Sequence, residues 1–345
     1  MHNQYSLYTH YPLYLVEAYI DGNIGALGIE GDDLPLATRE KIGCIIDYVA
    51  GRNRYVGYLI SVAAHSYRTK RIGLDCSNGS SWMIAKAVFD ALGAQTYVIG
   101  AEPNGVNVNL NTGSTHIETL RQYVTDNHLD AGFAFDGDAD RCIAVDENGN
   151  VIDGDKIIYI LARRLMAKGS LDNDTVVTTI MSNTGLTKAL AEYGIKNVQT
   201  DVGDRFVYER MISGGFRLGG EQSGHIILRK YATTGDGLLT AIMIMEEMMD
   251  TKQNLSKLCE AVKLLPQKTK NVRVTSKAAV VGDPEVIERF REVNEEIGSD
   301  GRALLRQSGT EPVVRIMLEC ETEAKCDAYI EKIYSVIRKR GYCCE

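Results

Sequence analysis

From Lys70 onwards, short apolar segments alternate with stretches whose apolar residues recur at helical spacing. Residues 71–75 have the composition of a strand, the apolar residues from Trp82 onwards fit one face of a helix, and residues 95–99 again resemble a strand. A second series of the same kind begins near Asp155. Strand, helix and strand in repeated order are typical of a mostly parallel sheet covered by helices, so the alternation predicts an α/β fold.

The length and the change of pattern along the chain predict several domains. A chain of 345 residues is too long for one ordinary hydrophobic core. Past Pro266 the alternation gives way to short strands, the first predicted at residues 272–275, and to two helical faces, which indicates a small α+β domain. We therefore expect successive α/β domains with mixed or parallel sheets, followed by this α+β domain. The predicted boundaries are 1–54 for part of a first domain, 55–154 and 155–265 for two α/β domains, and 266–345 for the last.

Composition limits the classes of partner. The net charge of −8 and the sequence pI near 5.4 argue against general nucleic-acid binding. No stretch approaches the roughly 18 consecutive apolar residues of a membrane helix, so we expect no membrane partner. The eight cysteines include no C-x-x-C pair and no zinc-like spacing with histidine, which predicts reduced thiols in a cytoplasmic protein.

Three aspartates at alternate positions, Asp136, Asp138 and Asp140, follow the apolar run of residues 131–135. A near-extended backbone would turn all three carboxylates to one side. Like charges at this spacing repel unless a cation lies between them, and an all-oxygen ligand set is typical of Mg²⁺. The sequence therefore predicts a Mg²⁺ site.

Two other interpretations of these aspartates remain. An EF-hand loop for Ca²⁺ would also have acids at positions one, three and five, but position six requires glycine and is Arg141 here. The preceding run also resembles a strand rather than a helix. A solvated acidic turn is the second alternative, although such a turn does not require three alternating acids beside an arginine.

A glycine-rich stretch, residues 219–225, places Glu221, Ser223 and His225 at alternate positions. An acid and a hydroxyl spaced two apart can hydrogen-bond to neighbouring hydroxyls of a sugar, because a carboxylate accepts and serine both donates and accepts. A structural turn with incidental polar residues explains the same pattern equally well.

A third polar loop, residues 306–312, offers hydroxyls, glycine and arginine together. Backbone N–H groups in such a turn can surround an anion, and a guanidinium binds phosphate through two hydrogen bonds. The loop lacks the Lys-Ser/Thr ending of a Walker A motif. We favour phosphate binding over a plain hairpin loop. The candidate phosphate-binding residues are Arg306, Ser308, Gly309, Thr310 and Arg315.

In this order and spacing, Asp-Gly-Asp-Ala-Asp-Arg, Gly-Glu-Gln-Ser-Gly-His and Arg-Gln-Ser-Gly-Thr-Glu-Pro resemble the motifs of the α-D-phosphohexomutases. The resemblance covers roughly residues 54–340. Three further stretches, residues 102–107, 202–206 and 233–237, are similar to the phosphoglucosamine mutase branch of the family.

The resemblance implies a four-domain fold around a central cleft. It also implies interconversion of the 6- and 1-phosphates of a hexosamine or hexose through a bisphosphorylated intermediate. By the same resemblance the three aspartates would bind Mg²⁺, the second motif would bind the sugar, and the third would hold the non-reacting phosphate. Arg141 would lie beside the metal, near the phosphoryl group in transfer.

The sequence departs from the family pattern at two places. Gln307 stands where the family's phosphate loop usually has lysine, which removes one positive charge. The family's phosphoryl carrier is a serine in a Ser-His-Asn-Pro motif, whereas this sequence begins Met1-His2-Asn3-Gln4. By the resemblance, His2 would be the remnant of that motif, and residues 1–54 would be the remnant of the family's first domain.

These departures lead to an expectation and two alternatives. As written, the chain should be a poor mutase or an inactive one, and exposed apolar surface should favour a homo-oligomer. The alternatives are a non-catalytic protein that binds hexose or hexosamine phosphates, and a metal-dependent sugar phosphatase.

Overall fold

Three β-sheets follow one another in the computed structural model, which describes residues 48–298, 301–308 and 311–344. Residues Ala50–Glu345 belong to one compact unit. The interpretation of residues 1–47 as a domain remnant, including His2, lies outside the described residues. The same holds for Gly309 and Thr310. Within the described ranges, no helix combines the length and the apolar character that crossing a membrane requires.

The first sheet has five strands in the order β2-β1-β3-β4-β5. The first three are parallel, and β4 and β5 are antiparallel additions at one edge. All five residues of β3 are buried, which explains its continuous apolar run. The strands are β1 (Arg71–Asp75), β2 (Gln95–Ile99), β3 (Ala131–Phe135), β4 (Cys142–Asp146) and β5 (Val151–Ile152). The helices of this part are α1 (Val49–Val62), α2 (Ala85–Ala91) and α3 (Glu118–Asp126).

The second sheet has four strands in the order β7-β6-β8-β9, with β9 antiparallel at the edge. The strands are β6 (Thr175–Thr179), β7 (Lys196–Thr200), β8 (Leu218–Gly220) and β9 (Ile226–Leu228). The helices are α4 (Gly154–Ala167), α5 (Thr184–Glu192), α6 (Asp204–Gly214), α7 (Gly237–Thr251) and the short α8 (Leu255–Leu258). The methionine-rich α7 is buried along most of its length, so its methionines belong to the core.

The third sheet is antiparallel, with the order β10-β12-β11. Alternate residues of β12, including Val314 and Ile316, pack against the helices, whereas Arg315 and Met317 point to the other face. The strands are β10 (Gln267–Arg273), β11 (Arg302–Gln307) and β12 (Val313–Glu319). The helices are α9 (Lys277–Gly282), α10 (Pro284–Ile297) and α11 (Glu323–Lys339).

The predicted fold class, α/β sheets followed by an α+β domain, is confirmed. Two local predictions are wrong. Trp82 lies in a 3₁₀ turn before α2 and is 40% exposed, so it does not belong to the buried face of that helix. The strand expected at residues 272–275 instead spans Gln267–Arg273, because its polar residues pair with β12.

Candidate functional site

The three aspartates lie in the turn between β3 and β4. The turn closes through a hydrogen bond from the Ala139 N–H to the Asp136 carbonyl (3.1 Å), and Ala139 has a left-handed φ of 63°. One oxygen of each carboxylate, from Asp136, Asp138 and Asp140, lies within 4.8 Å of the others. The expectation of a near-extended backbone is wrong here, because the carboxylates converge through the turn.

The electrostatics of this aspartate loop suit a divalent cation. Burial, followed by the charges of Asp140 and Asp138, raises the pKa of Asp136 to about 6, against the opposing effect of the Arg141 backbone N–H. The Nε atom of Arg141 is 3.7 Å from Asp136 Oδ2 and 3.8 Å from Asp140 Oδ1. One guanidinium cannot neutralise three carboxylates, and an all-oxygen donor set is the one that Mg²⁺ prefers.

The start of α7 supports the aspartate loop from the second sheet. The Gly237 N–H donates to the carbonyl of Ala139 (3.0 Å). A Cβ atom at Gly237 would lie 2.4 Å from the Arg141 carbonyl oxygen, which is closer than a real Cβ approaches. Glycine is therefore required for this approach of the two backbones.

The second motif forms the β8–β9 hairpin, whose turn is docked against the start of β4. The Cys142 N–H donates to the Gly224 carbonyl (3.0 Å), and Arg141 and His225 form an isolated β-bridge. At the tip of the turn, Ser223 is exposed. Half-buried Glu221 accepts a hydrogen bond from the Gly203 N–H (3.1 Å). Glu221 and Ser223 thus remain able to contact a ligand.

His225, the third candidate of the second motif, is buried against the aspartate loop. It is only 3% exposed, and its Nδ1 lies 3.0 Å from Asp140 Oδ2. Its Nε2 accepts the Gly235 N–H (3.0 Å), so the ring proton is on Nδ1 and is donated to Asp140. Both ring nitrogens are thus hydrogen-bonded within the described residues, one of them to a member of the aspartate loop. The assignment of His225 to the sugar stays a prediction.

The two arginines of the third motif stand side by side on the open face of the third sheet. Arg306 and Arg315 are directly opposite in the β11–β12 pair, and Asn271 of β10 is opposite Arg315. These three residues, with Thr269, Leu304 and Met317, line a cavity of about 280 Å³ that Met181, in the turn after β6, also borders. The cavity is wide enough for a phosphate group and carries its donors on one wall.

The face of the third sheet that carries Arg306 and Arg315 is here called the arginine face. An acidic side chain interacts with each of these two arginines. Burial, followed by the charge of Arg315, lowers the pKa of Arg306, and Glu221 opposes this effect. Arg315 donates to Glu311 (3.1 Å). Glu221 belongs to the β8–β9 hairpin, so the charge of that hairpin acts on the pKa of Arg306.

Sequence reasoning missed two polar neighbours of the site. Asn271 and Thr269 face the same cavity as the arginines, and their spacing of two along a strand was the available signal. That signal was lost because the strand was predicted to begin at residue 272. Ser308 is buried, with its N–H bonded to the Val313 carbonyl (3.0 Å), so it anchors the loop between β11 and β12.

Comparisons with known proteins identify the family of the chain. Three family models match, each described as phosphoglucomutase/phosphomannomutase: alpha/beta/alpha domain II at residues 53–149, alpha/beta/alpha domain III at 153–265, and the C-terminal domain at 270–336. A phosphoglucosamine mutase of Lachnospira eligens is 53% identical over 327 residues, which are 95% of this chain and 71% of the relative. The phosphoglucosamine mutase of Bacillus subtilis is 46% identical over 307 residues, 89% of this chain and 68% of the relative.

Solved structures show the same fold at low identity. An N-acetylphosphoglucosamine mutase of Aspergillus fumigatus, in complex with GlcNAc-6P and magnesium, superposes with a TM-score of 0.69 at 16% identity, covering 84% of this chain and 65% of that one. A phosphoglucomutase/phosphomannomutase family protein of Burkholderia thailandensis gives 0.68 at 19% identity, covering 84% and 64%. The chain thus spans just under two thirds of these structures. The resemblance drawn from the three motifs is confirmed: the chain belongs to the phosphohexomutase family and is most similar to its phosphoglucosamine mutases.

Proposed function

We propose that this chain binds glucosamine 6-phosphate and carries the metal, sugar and phosphate sites of a phosphoglucosamine mutase. The observation that carries the proposal is the contact between the aspartate loop and the hairpin that carries the sugar candidates, together with the paired arginines of the third sheet. Asp140 Oδ2 lies 3.0 Å from His225 Nδ1, in the same hairpin as Glu221 and Ser223, and Arg306 stands opposite Arg315 in the β11–β12 pair. A hexosamine phosphate has hydroxyls between its two reactive ends, which suits acceptors placed between a cation site and a cationic wall.

Within this proposal each group has a distinct task. Arg306 and Arg315 hold the non-reacting phosphate, and Glu221 and Ser223 hydrogen-bond to sugar hydroxyls. Asp136, Asp138 and Asp140 would hold Mg²⁺, which when bound neutralises charge on the phosphoryl group in transfer. The Aspergillus enzyme, solved with GlcNAc-6P and magnesium, supports this choice of ligand and metal.

Arg141, Ser308 and the loop residues complete the proposal. The Arg141 guanidinium, beside the aspartates, would stabilise the phosphoryl group as charge develops on it. Gly309 and Thr310 would add donors from the loop that begins at Ser308. We further propose a cytoplasmic protein with domains at 55–154, 155–265 and 266–345, and a homo-oligomeric state remains part of the proposal.

Phosphorus NMR distinguishes the proposed mutase chemistry from the two alternatives. The 345-residue chain is mixed with glucosamine 6-phosphate, Mg²⁺ and a catalytic amount of glucosamine 1,6-bisphosphate. Because the family's serine motif is not found in this sequence, we expect binding with slow turnover or none. Formation of the 1-phosphate at the rate of a full-length relative would contradict that expectation. Release of inorganic phosphate would favour the phosphatase, and the absence of binding would overturn the proposal.

The metal assignment has its own test. Calorimetric titration of Asp138→Ala with Mg²⁺ should show at least tenfold weaker binding, since Asp138 is exposed and its loss removes a ligand without disturbing the core. Asp90→Ala is the matched control, because Asp90 is an exposed acid paired with Lys86 on α2. Equal Mg²⁺ affinity of the wild-type protein and Asp138→Ala would remove the aspartate loop from the proposal.

A further inference from the structure

We infer that Tyr55 and Asp236 are a pair of positioning residues for the aspartate loop. The inference rests on the metal site proposed above and adds two residues that lie outside the three motifs. Asp236 belongs to residues 233–237, a stretch to which the proposed function gives no task. Tyr55 lies on α1, and Asp236 directly precedes α7. The Tyr55 hydroxyl donates to the Asp236 carboxylate and lies 2.9 Å from each of its oxygens.

The Asp236 side chain caps the helix that supports the aspartate loop. Its Oδ1 accepts the Leu239 N–H (2.9 Å), which is an otherwise unpaired donor in the first turn of α7. The next residue, Gly237, donates its N–H to the Ala139 carbonyl within the aspartate loop (3.0 Å). The carboxylate that Tyr55 holds therefore fixes the turn from which the loop is supported.

The residue before Asp236 reaches the aspartate loop by a second route. The Gly235 N–H donates to His225 Nε2 (3.0 Å), and His225 Nδ1 lies 3.0 Å from Asp140 Oδ2. A Cβ atom at Gly235 would lie 2.7 Å from the Asp140 carbonyl oxygen, so the two backbones approach closely. Contacts with the loop thus lie on both sides of Asp236, and a shift of its backbone would displace both Gly235 and Gly237.

Tyr55 and Asp236 also line a cavity beside the aspartate loop. This cavity of about 330 Å³ is bordered by Asp138 and Asp140 as well. A carboxylate that could turn freely in this space would offer a cation an alternative oxygen ligand. Because the Tyr55 hydroxyl contacts both oxygens of Asp236, the carboxylate stays in its capping position. The pair therefore acts on the metal site through geometry, while the cation ligands remain those of the loop.

A purely structural tie between α1 and the second sheet would produce the same contact. The same helix carries a tie of that kind, because the Tyr58 hydroxyl donates to the Tyr231 carbonyl (2.7 Å). Tyr58→Phe is therefore the matched control for Tyr55→Phe. Each variant removes one hydroxyl from α1, but only the Tyr55 hydroxyl contacts the side chain that caps α7.

The choice between two cations distinguishes positioning from a structural tie. Mg²⁺ requires near-ideal octahedral geometry with short distances, whereas Ca²⁺ accepts a larger and more flexible ligand set. A displaced aspartate loop should therefore lose more affinity for Mg²⁺ than for Ca²⁺. A tie that only stabilises the fold would change the melting temperature and leave the ratio of the two affinities unchanged.

The experiment measures the dissociation constants of Mg²⁺ and Ca²⁺ by calorimetry on the full chain. We expect Tyr55→Phe to weaken Mg²⁺ binding about fivefold or more and Ca²⁺ binding less than about twofold. Tyr58→Phe should keep both constants within about twofold of wild type. In an Asp236→Ala background, Tyr55→Phe should cause no further loss, because the hydroxyl has no carboxylate left to hold. Thermal melting checks that each variant is folded.

The outcomes separate this inference from the proposed function. Unchanged or tighter Mg²⁺ binding by Tyr55→Phe, equal losses for Mg²⁺ and Ca²⁺, or the same losses in Tyr58→Phe would overturn the positioning role. Asp138→Ala serves as a reference for the metal site itself. If Asp138→Ala loses Mg²⁺ affinity and Tyr55→Phe does not, the inference fails and the metal site stands. If neither variant loses affinity, both fail.

Discussion

The aspartate loop and the arginine face are built in different ways, although both gather like charges. The aspartate loop lies between two sheets and is positioned by backbone contacts from the β8–β9 hairpin and from the start of α7. The arginine face comes from a single antiparallel sheet, where strand register alone puts Arg306 opposite Arg315. We therefore expect the aspartate loop to be sensitive to changes in the backbone around it. The arginine face should be sensitive mainly to loss of its charged side chains.

The largest expected effect is the loss of stability on substitution of Gly154. This substitution tests directly whether close backbone contacts hold the hairpin in place. Gly154 begins α4 and donates its N–H to the Gln222 carbonyl in the hairpin turn (3.0 Å). A Cβ there would lie 2.0 Å from the Glu221 carbonyl oxygen. Gly154→Ala should lower the free energy of unfolding by about 3 kcal/mol or more, because buried backbone must shift. Chemical denaturation measures this change.

Gly57→Ala is the matched control for that substitution. Gly57 lies inside α1, is exposed, and has nothing within 4 Å of an added Cβ. Alanine there should be neutral or stabilise by about 0.5–1 kcal/mol, because glycine loses more backbone entropy in a helix. A neutral result for Gly154→Ala would mean that the hairpin does not constrain the backbone as described.

The next effect concerns Asp155, the second residue of α4, whose pKa is displaced. Its side chain is fully buried and accepts the Asn183 N–H (2.7 Å). Burial, followed by the charge of Asp153, raises the pKa of Asp155 to about 7. The unfolded chain loses this proton near pH 4, so the folded state retains a proton through the window between the two values. The protonated Asp155 carboxyl therefore contributes to the stability of the folded state. This contribution is fully present below about pH 4 and is lost as the pH rises to about 7.

Asp155→Asn removes the titrating group while keeping an acceptor for Asn183. In the variant, this contribution to the pH dependence between about pH 4 and 7 should disappear. Above pH 7 the variant should be more stable by an amount on the order of 2 kcal/mol. Melting temperatures across that range test the sign. A variant with the same pH slope as wild type would show that another group carries the dependence.

At the arginine face, side-chain loss should weaken binding without unfolding the domain. Arg315→Ala should weaken glucosamine 6-phosphate binding tenfold or more, since a charged hydrogen bond contributes about 1.5–3 kcal/mol. Binding of unphosphorylated glucosamine should not change. Arg291→Ala is the control, because Arg291 is an exposed arginine of α10 paired with Glu288 and Glu295. Equal losses for both sugars would make Arg315 a structural residue.

The comparison also explains what the sequence could predict. Strands such as residues 131–135 are buried on both faces, so their apolar runs identify them without tertiary information. The identities of the aspartates and arginines follow from composition and from the family motifs. Both kinds of prediction depend on local residue types.

What the sequence could not predict depends on contacts between sheets. The antiparallel strands β4 and β9 pair with β3 and β8, and nothing in their own sequences signals this pairing. His225 stands in a motif where hydroxyl readers were expected, yet its burial against Asp140 comes from the docking of the hairpin. Trp82 fits a helical face in sequence, but the helix begins only at Ala85. In each case the determining partner lies elsewhere in the chain or the helix boundary differs from the apolar pattern.

The smallest expected effect separates two residues of one motif. Ser223 is exposed at the tip of the hairpin turn, whereas His225 is buried two residues later. Ser223→Ala should weaken glucosamine 6-phosphate binding by a few-fold, as expected for about 0.5–1.5 kcal/mol from one neutral hydrogen bond. Its melting temperature and Mg²⁺ affinity should remain those of the wild type. His225→Ala should do the reverse: it frees Asp140 and leaves the buried Gly235 N–H without an acceptor, so Mg²⁺ affinity and stability both fall. Calorimetry with each ligand, together with thermal melting, compares the two variants. If Ser223→Ala lost Mg²⁺ affinity as His225→Ala does, the hairpin would act as one structural unit, and its tip would have no separate role in binding the sugar.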